Sequence, residues 1–466
     1  MKTSVSLLLP VSFLLSACAV GPDYVRPETP TAGVFPEATP GGVAVGEKWW
    51  QGFGDAQLSA FVEQALLANV DVRIAAGRVE EAAAGLADVA GARLPQVEAS
   101  AGAAQSKVSD NGYTPISSTN GRNRTVYRAG LATSFELDFW GKLRRATETA
   151  RAQLLATTEA RTQVELAVAA SVVRAYALAQ SAAVQQRSAE ELVAIRTEER
   201  RIVGSRFAVG SANASDRAQA EVNVAAAVAT LSDARRVRAN AEHLLGFLVG
   251  RPDLVLPTAG AVALVPPPPP AAGLPVDLLR RRPDVLAAEQ ALVAANARIG
   301  YVKATHLPSF TLTGALGSES RDLAQLFTAA SATSSLGVDL RAPVFDFGRG
   351  AARVEGAVAL QHQAAATYEK AVLTAFREVR DALSDVRETI ESARAAELRE
   401  ASAQEAFRVA EARRAVGQLP LAEHLLARRL LAESTAAVAR VRHDRIGAQV
   451  DLIKALGGAR VEVPAK

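Results

Sequence analysis

The sequence predicts a mainly α-helical fold with a transmembrane β-barrel, written twice as helix, two strands, long helix and helix. Three observations predict it. Apolar residues make up 49% of the chain but aromatics only 5%, so alanine, the strongest helix former, dominates. A set of landmarks recurs in the same order at fixed spacing. Four segments alternate apolar and polar residues with the period of a strand. The net charge of +3 is small for this length and argues against a nucleic-acid partner. A single cysteine excludes an internal disulfide framework and a cysteine-based zinc cluster.

Residues 1–17 read as a signal peptide. Lys2 gives a positive start, and Val5 to Leu15 is an apolar run far short of the ~20 residues that span a bilayer. The run ends in Leu15-Ser16-Ala17-Cys18, which resembles the bacterial lipobox. That resemblance implies cleavage before Cys18 and acylation of its thiol and new amino group. Ala19 follows in place of an aspartate, which by analogy favours the outer membrane. Residues 18–68 are assigned as a lipidated tether and equatorial segment, with prolines at 22, 27, 30, 36 and 40. No later stretch offers ~20 uncharged apolar residues, so any membrane crossing falls to β-strands.

The duplication fixes the remaining elements. "ELDFWGK" and "PVFDFGR", "RFAVGS" and "RRAVGQ", and "LLGFLVG" and "LIKALGG" each align a glycine 207 positions apart. Leu94-Pro95 and Leu307-Pro308 lie 213 apart. The six-residue difference is placed in a turn-rich loop around "SDNGYTPISSTNGRN". The first repeat, 69–249, opens with a helix near 70–92, capped by Asn69. Strands near 95–107 and 125–139 follow, then a helical hairpin over 142–249. A linker at 250–282 carries "PPPPP". The second repeat, 283–457, has a helix from Pro283, strands near 308–318 and 335–346, and a hairpin over 349–456; 458–466 is a tail. Each hairpin's first helix runs for about 65 residues, roughly 100 Å at 1.5 Å per residue.

In the strands, Tyr127, Leu131, Phe135 and Leu137 alternate with Arg128, Ser134, Glu136 and Asp138. Phe310, Leu312 and Leu316 alternate with Ser309, Thr311 and Thr313, and Leu336, Val338 and Leu340 with Ser335, Asp339 and Arg341. Four such strands cannot close a barrel, for which about eight is the minimum. The chain must therefore oligomerise. Two copies would give a filled barrel and three a barrel with a lumen, and periodicity does not choose between them.

"CAVGPDYVRP", "WWQGFGDAQL", the two strand-to-helix junctions and the paired "AVG" turns resemble the outer-membrane efflux proteins, over nearly all of the mature chain. Within that family the sequence resembles the lipoprotein branch serving resistance-nodulation-division pumps. The resemblance implies a homotrimer: a twelve-stranded barrel in the outer membrane, continued by a long periplasmic α-helical barrel. It implies a periplasmic adaptor (membrane fusion) protein and an inner-membrane resistance-nodulation-division transporter as partners, beside outer-membrane lipid. The expected work is passive exit of drugs, solvents or toxic metabolites. The exit duct of a protein-secretion system and a structural envelope lipoprotein without a pore stay as alternatives.

The expected sites follow. Glu136, Asp138, Asp339 and Arg341 fall on the polar strand face and are expected to face the lumen. The turns after the long helices are expected to form the periplasmic entrance and dock the adaptor, through Val209, Gly210, Ser211 and Asp216 in one copy and Val416, Gly417, Gln418, Leu419 and Glu423 in the other. Leu419 stands where some family members place an acid, and Asp216 or Glu423 could substitute. Arg200, Arg201, Arg206, Arg413 and Arg414 make this end basic, and ion pairs between helices are the expected use. The five histidines are scattered and form no H-E-x-x-H; no P-loop or G-x-S-x-G occurs. No catalytic residue, metal or cofactor is expected.

Overall fold

The structure is a computed structural model and describes residues 19–28, 35, 46–109, 122–257, 264–269 and 281–458. The signal segment, Cys18, most of the tether, most of the turn-rich loop between the first two strands, part of the 250–282 linker and nearly all of the tail lie outside the described residues. After a 3-10 turn at Trp49–Phe53, the elements are α1 (Ala56–Ala68), α2 (Val70–Gly91), β1 (Gln96–Lys107), β2 (Asn123–Leu137), α3 (Lys142–Ala208), α4 (Ala214–Val249), α5 (Pro283–Ala304), β3 (Ser309–Ser320), β4 (Ala332–Arg341), α6 (Arg349–Ala415) and α7 (Leu421–Ala455). Helices α3 and α6 have 67 residues each. Two short 3-10 turns, Leu323–Gln325 and Ala329–Ser331, join β3 to β4.

Two strands end earlier than the sequence reading places them. β2 stops at Leu137, because Asp138 turns its carboxylate onto the amides of Leu143 and Arg144 (3.0 and 2.9 Å) and starts α3. An acid there satisfies otherwise unbonded N–H groups and complements the helix dipole. β4 runs over 332–341 instead of 335–346, since Pro343 has no N–H for a ladder.

The chain divides into two compact units. The first holds residues 1–28, 79–157 and 288–368. Its sheet is antiparallel in the order β1-β2-β3-β4, so the second strand of one repeat pairs with the first strand of the other. Ala99, Leu131 and Leu316 stand side by side in the register. Residues 19–28 form a strap on this unit. Val20 N–H donates to the Trp140 carbonyl (3.1 Å), Asn296 donates to the Pro22 carbonyl (2.9 Å), and Asp23 pairs with Arg145 (2.8 Å).

The second unit holds residues 29–78, 158–287 and 369–466. Its core joins Trp49, Trp50 and Phe53 to Leu58, Phe61 and Val62 of α1, the Val168–Ala179 face of α3, Leu245 and Val249 of α4, and Ile446, Val450 and Ile453 of α7. Small residues on α3 let these helices approach closely. One stretch of α3 is long and apolar enough to cross a membrane by composition, but it is mostly buried in the protein. Asp55 caps α1 through the Leu58 amide (2.9 Å) and also accepts the Tyr176 hydroxyl (2.9 Å). Asn69 accepts from the Asp71 amide (2.9 Å) at the start of α2 and donates to the Leu248 carbonyl (3.1 Å).

Candidate functional site: the strand wall and the helix-hairpin turns

The sheet buries neither face. Every residue of β1 and nine of the ten in β4 are exposed. One face carries Val97, Leu131, Phe135, Leu312, Leu316, Leu336, Val338 and Leu340, with Leu336 83% and Leu316 67% exposed. The opposite face carries Glu98, Ser100, Arg128, Glu136, Thr313, Glu319, Asp339 and Arg341, and an Arg128–Glu319 ion pair (2.7 Å) crosses it between β2 and β3. An isolated sheet in water would need one face covered. Exposed leucines on one side and charges on the other suit a wall between hydrocarbon and water.

The four expected lumen residues do different things. Glu136 lies at the base of β2 and accepts Lys142 Nζ through both oxygens (2.7 and 2.8 Å). Asp138 is a helix cap outside the strand, as described above, so its carboxylate is committed to α3. Asp339 accepts a long hydrogen bond from Thr313 Oγ1 (3.3 Å) on the adjacent strand. Arg341 ends β4, and its guanidinium has no ion-pair partner among the described residues. A cleft of about 380 Å³ gathers Glu136, Asp138, Trp140, Lys142, Pro308 and Arg341 at this strand-to-helix junction. The Trp140 indole N–H donates to the Pro308 carbonyl (2.7 Å), and Phe139 packs edge-on against Phe310 (5.2 Å). In the second repeat Asp346 accepts from the amides of Gly348 and Gly350 (3.0 and 2.7 Å). The Gly350 N–H, followed by the Gly348 N–H, holds its carboxyl below the usual range.

The turns after the long helices are built alike. Gly210 and Gly417 take φ of 75° and 74°, the left-handed conformation that ends a helix and that a Cβ opposes. Beyond Gly210, the Ser211 amide and hydroxyl both donate to the Arg206 carbonyl (2.8 and 3.0 Å). Asn213 and Asp216 then form a reciprocal capping box, each side chain accepting the other's amide at 2.9 Å. Beyond Gly417, the Gln418 amide donates to the Arg413 carbonyl (2.9 Å) and Arg414 donates to the Leu419 carbonyl (3.3 Å). Glu423 sits in the first turn of α7 after the Pro420 cap. Val209 and Val416, at 79% and 67% exposed, project from the tips.

Asp216 is therefore occupied as a cap. Among the described residues, Arg200 is the one of the five arginines that makes an ion pair between helices, with Glu221 (3.2 Å). Arg201 pairs within α3 to Glu198, and Arg206 and Arg414 donate to turn carbonyls instead. The expectation of pairing between helices thus holds for Arg200; Arg206 and Arg414 meet carbonyls at their own helix ends instead, and Arg201 meets a carboxylate one turn away. Two features escaped the sequence reading. Arg217 lies over the Phe207 ring (4.9 Å), and a groove of about 400 Å³ is lined by Arg196, Glu199, Arg206, Asp216 and Gln219, with Ala422 from the other turn. Their signal was present as Phe207 and Arg217 flanking the turn, but distance across a hairpin is not legible from spacing alone.

A profile of the outer membrane efflux proteins matches residues 61–251 and 274–458, both repeats. The chain belongs to the outer membrane efflux protein family. It is 32% identical to the probable efflux pump outer membrane protein TtgC of Pseudomonas putida, over 99% of this chain and 97% of that one. It is 31% identical to the probable outer membrane lipoprotein SilC of Salmonella typhimurium, over 97% of each chain. Its fold matches the CmeC outer membrane channel of Campylobacter jejuni with a TM-score of 0.84, 25% identity and 95% coverage of both chains. This member of the efflux family is thus an outer-membrane channel protein with a large helical portion. The family is one of channels and not of enzymes, and its members are trimeric outer-membrane components of three-part efflux systems.

Proposed function

We propose that three copies of this chain form a passive exit duct for small molecules, held in the outer membrane by their strands and by lipid on Cys18. The observation that carries the reading is the four-stranded sheet with unlike, exposed faces and two free edges. Such a sheet is stable in hydrocarbon only when neighbouring copies close it, because an open edge leaves amides without partners. Three copies bring twelve strands, enough for a water-filled lumen. The helix-hairpin turns, with their exposed Val209 and Val416, would receive a periplasmic adaptor. An inner-membrane resistance-nodulation-division transporter would supply the cargo and the energy. The lipoprotein name of SilC supports the anchor, and the efflux name of TtgC supports small molecules over secreted proteins.

The test is electrical. Purified protein is reconstituted in planar bilayers, alone and with Gly210→Asp and Gly417→Asp loosening the turns. The loosened protein is expected to give discrete single-channel steps. A trimer that stays silent in both forms would favour a structural lipoprotein.

A further inference from the structure

We infer that the closing strand pair of the assembly joins β4 of one copy to β1 of the next in one defined register, with Arg341 of the first paired to Glu98 of the second. This rests on the trimeric duct proposed above and adds the interface itself. The argument is internal symmetry. The two hairpins have equivalent registers: Gln96 faces Ser134 in the first, and Ser309 faces Arg341 in the second. β3 thus maps onto β1 by 213 positions and β4 onto β2 by 207, the same offsets that relate the landmarks of the repeats. The chain already contains one junction between repeats, β2 against β3, where Leu137 faces Phe310 and Leu131 faces Leu316. Shifting its two strands by those offsets gives the missing junction. Leu340 then faces Ala101 of the next copy, Asp339 faces Gly102, Val338 faces Ala103, and Arg341 faces Ser100.

Three features of the single chain agree with this register. Parity is preserved: Leu340 and Val338 meet Ala101 and Ala103 on the apolar face, whereas a one-residue slip would set them opposite Ser100 and Gly102 of the polar face. Charge is complementary: Arg341 falls diagonal to Glu98 on the polar face, and neither has an ion-pair partner among the described residues of its own chain. Diagonal neighbours in a sheet lie within reach of long side chains. Finally, the aromatic cover is present once and missing once. Trp140 and Phe139 cover Pro308 and Phe310 within the chain. At the 207-position offset Trp140 corresponds to Phe347 (86% exposed) and Phe139 to Asp346; Phe347 packs on its neighbour Phe345 (76%, ring centroids 4.4 Å apart), and Val344 beside them is 96% exposed. The duplicate of the surface they would cover is Leu94 to Val97, itself bare at 63% and 69% for the two end residues. Only a second copy presents that surface to them.

Cysteine pairs test the register in the full-length protein. β1 and β4 are separated by two strands within a chain, about 14 Å at the usual spacing, so a disulfide between them must join two copies. Leu340→Cys is combined in turn with Ala99→Cys, Ala101→Cys and Ala103→Cys, and Asp339→Cys with Gly102→Cys, which places one pair on each face of the sheet. Single-cysteine variants control for Cys18. The 340/101 and 339/102 pairs are expected to oxidise about tenfold faster than the pairs displaced by two residues. Faster linkage of 340 to 99 or 103 in an intact trimer would overturn the register and leave the duct standing. A monomer by native mass spectrometry would overturn both. If cysteines impair assembly, charge exchange decides: Glu98→Arg and Arg341→Glu should each lower the dissociation temperature of the trimer, and the double variant should restore it. Additive losses in the double variant would refute the pairing.

Discussion

Arg26 forks onto Glu289, its Nε and Nη2 lying 2.7 and 2.5 Å from the two carboxylate oxygens, and so ties the N-terminal strap to α5. Glu289 is 5% exposed, and Tyr24 adds a hydroxyl hydrogen bond to it at 3.2 Å. Burial, and then the Glu289 charge, push the Tyr24 phenol well above its ordinary pKa, so it stays a donor at any physiological pH. Removing the fork leaves a buried carboxylate with one neutral partner. Arg26→Ala is expected to cost about 1–2 kcal/mol, the lower part of the range for a charged hydrogen bond because Arg26 is half exposed. Tyr24→Phe should cost less. Denaturant midpoints of the two variants check the order, and an unchanged midpoint for Arg26→Ala would show the fork to be idle.

The same strap depends on a close backbone approach. A Cβ on Gly300 would lie 2.5 Å from the Val20 carbonyl oxygen and 3.0 Å from Arg145 Cγ. Gly300→Ala must therefore lift the strap from α5. Limited proteolysis should cut within residues 19–28 of the variant and spare the parent, with circular dichroism unchanged. Equal cleavage of both would mean that the strap has room the geometry denies.

Tyr176 gives the second unit a marker in alkali. Burial, followed by its hydrogen bond to Asp55, pushes the phenol up to about 12 from an ordinary 10. The unfolded chain loses this proton near pH 10 and the folded chain near pH 12, so the folded state binds more protons in that window. Its stabilising contribution is whole below pH 10 and falls away as pH rises from 10 to 12, by about 2–3 kcal/mol in all. Tyr176→Phe should be less stable at pH 8 yet show a flatter decline across the window. Parallel slopes in thermal unfolding would contradict the assignment.

At the turns, left-handed backbone makes the glycines hard to replace. Gly210→Ala and Gly417→Ala are each expected to cost about 1 kcal/mol, and the matching asparagine variants less, since asparagine tolerates that region. Urea unfolding of the four variants provides the comparison. Alanine and asparagine variants of equal stability would show that the turns yield.

The repeat, the helix ends and the alternating strand faces were legible because they are local. Glycine at a helix end, a cap residue and a period of two each leave a mark within a few positions. Helix α2 ends within a residue of its expected limit, and α5 starts at Pro283 as expected, for this reason. Asp138 was misread because it continues the period-two pattern by one position while its side chain serves the helix that follows. β4 ended early for a similar reason: the apolar phase of Leu336, Val338 and Leu340 continues through Ala342 to Val344, but Pro343 interrupts the ladder. The uses of the terminal arginines were hidden because a carbonyl one turn away competes with a carboxylate on another helix, and spacing alone does not rank the two. The strap was invisible in sequence, since its anchors at Glu289, Asn296 and Gly300 lie more than 260 positions from it.

A sheet bare on both sides also sets a timetable. A newly exported chain can settle the second unit, with its own apolar core, before it meets another copy. Its strands have no such option. If three copies close the barrel as proposed, the strands are until then a sticky liability in the aqueous space they must traverse, open to illicit edge pairing. The pace at which working pores appear should therefore climb more steeply than expression level. Underproduction would starve the cell of exits well before it depleted the polypeptide.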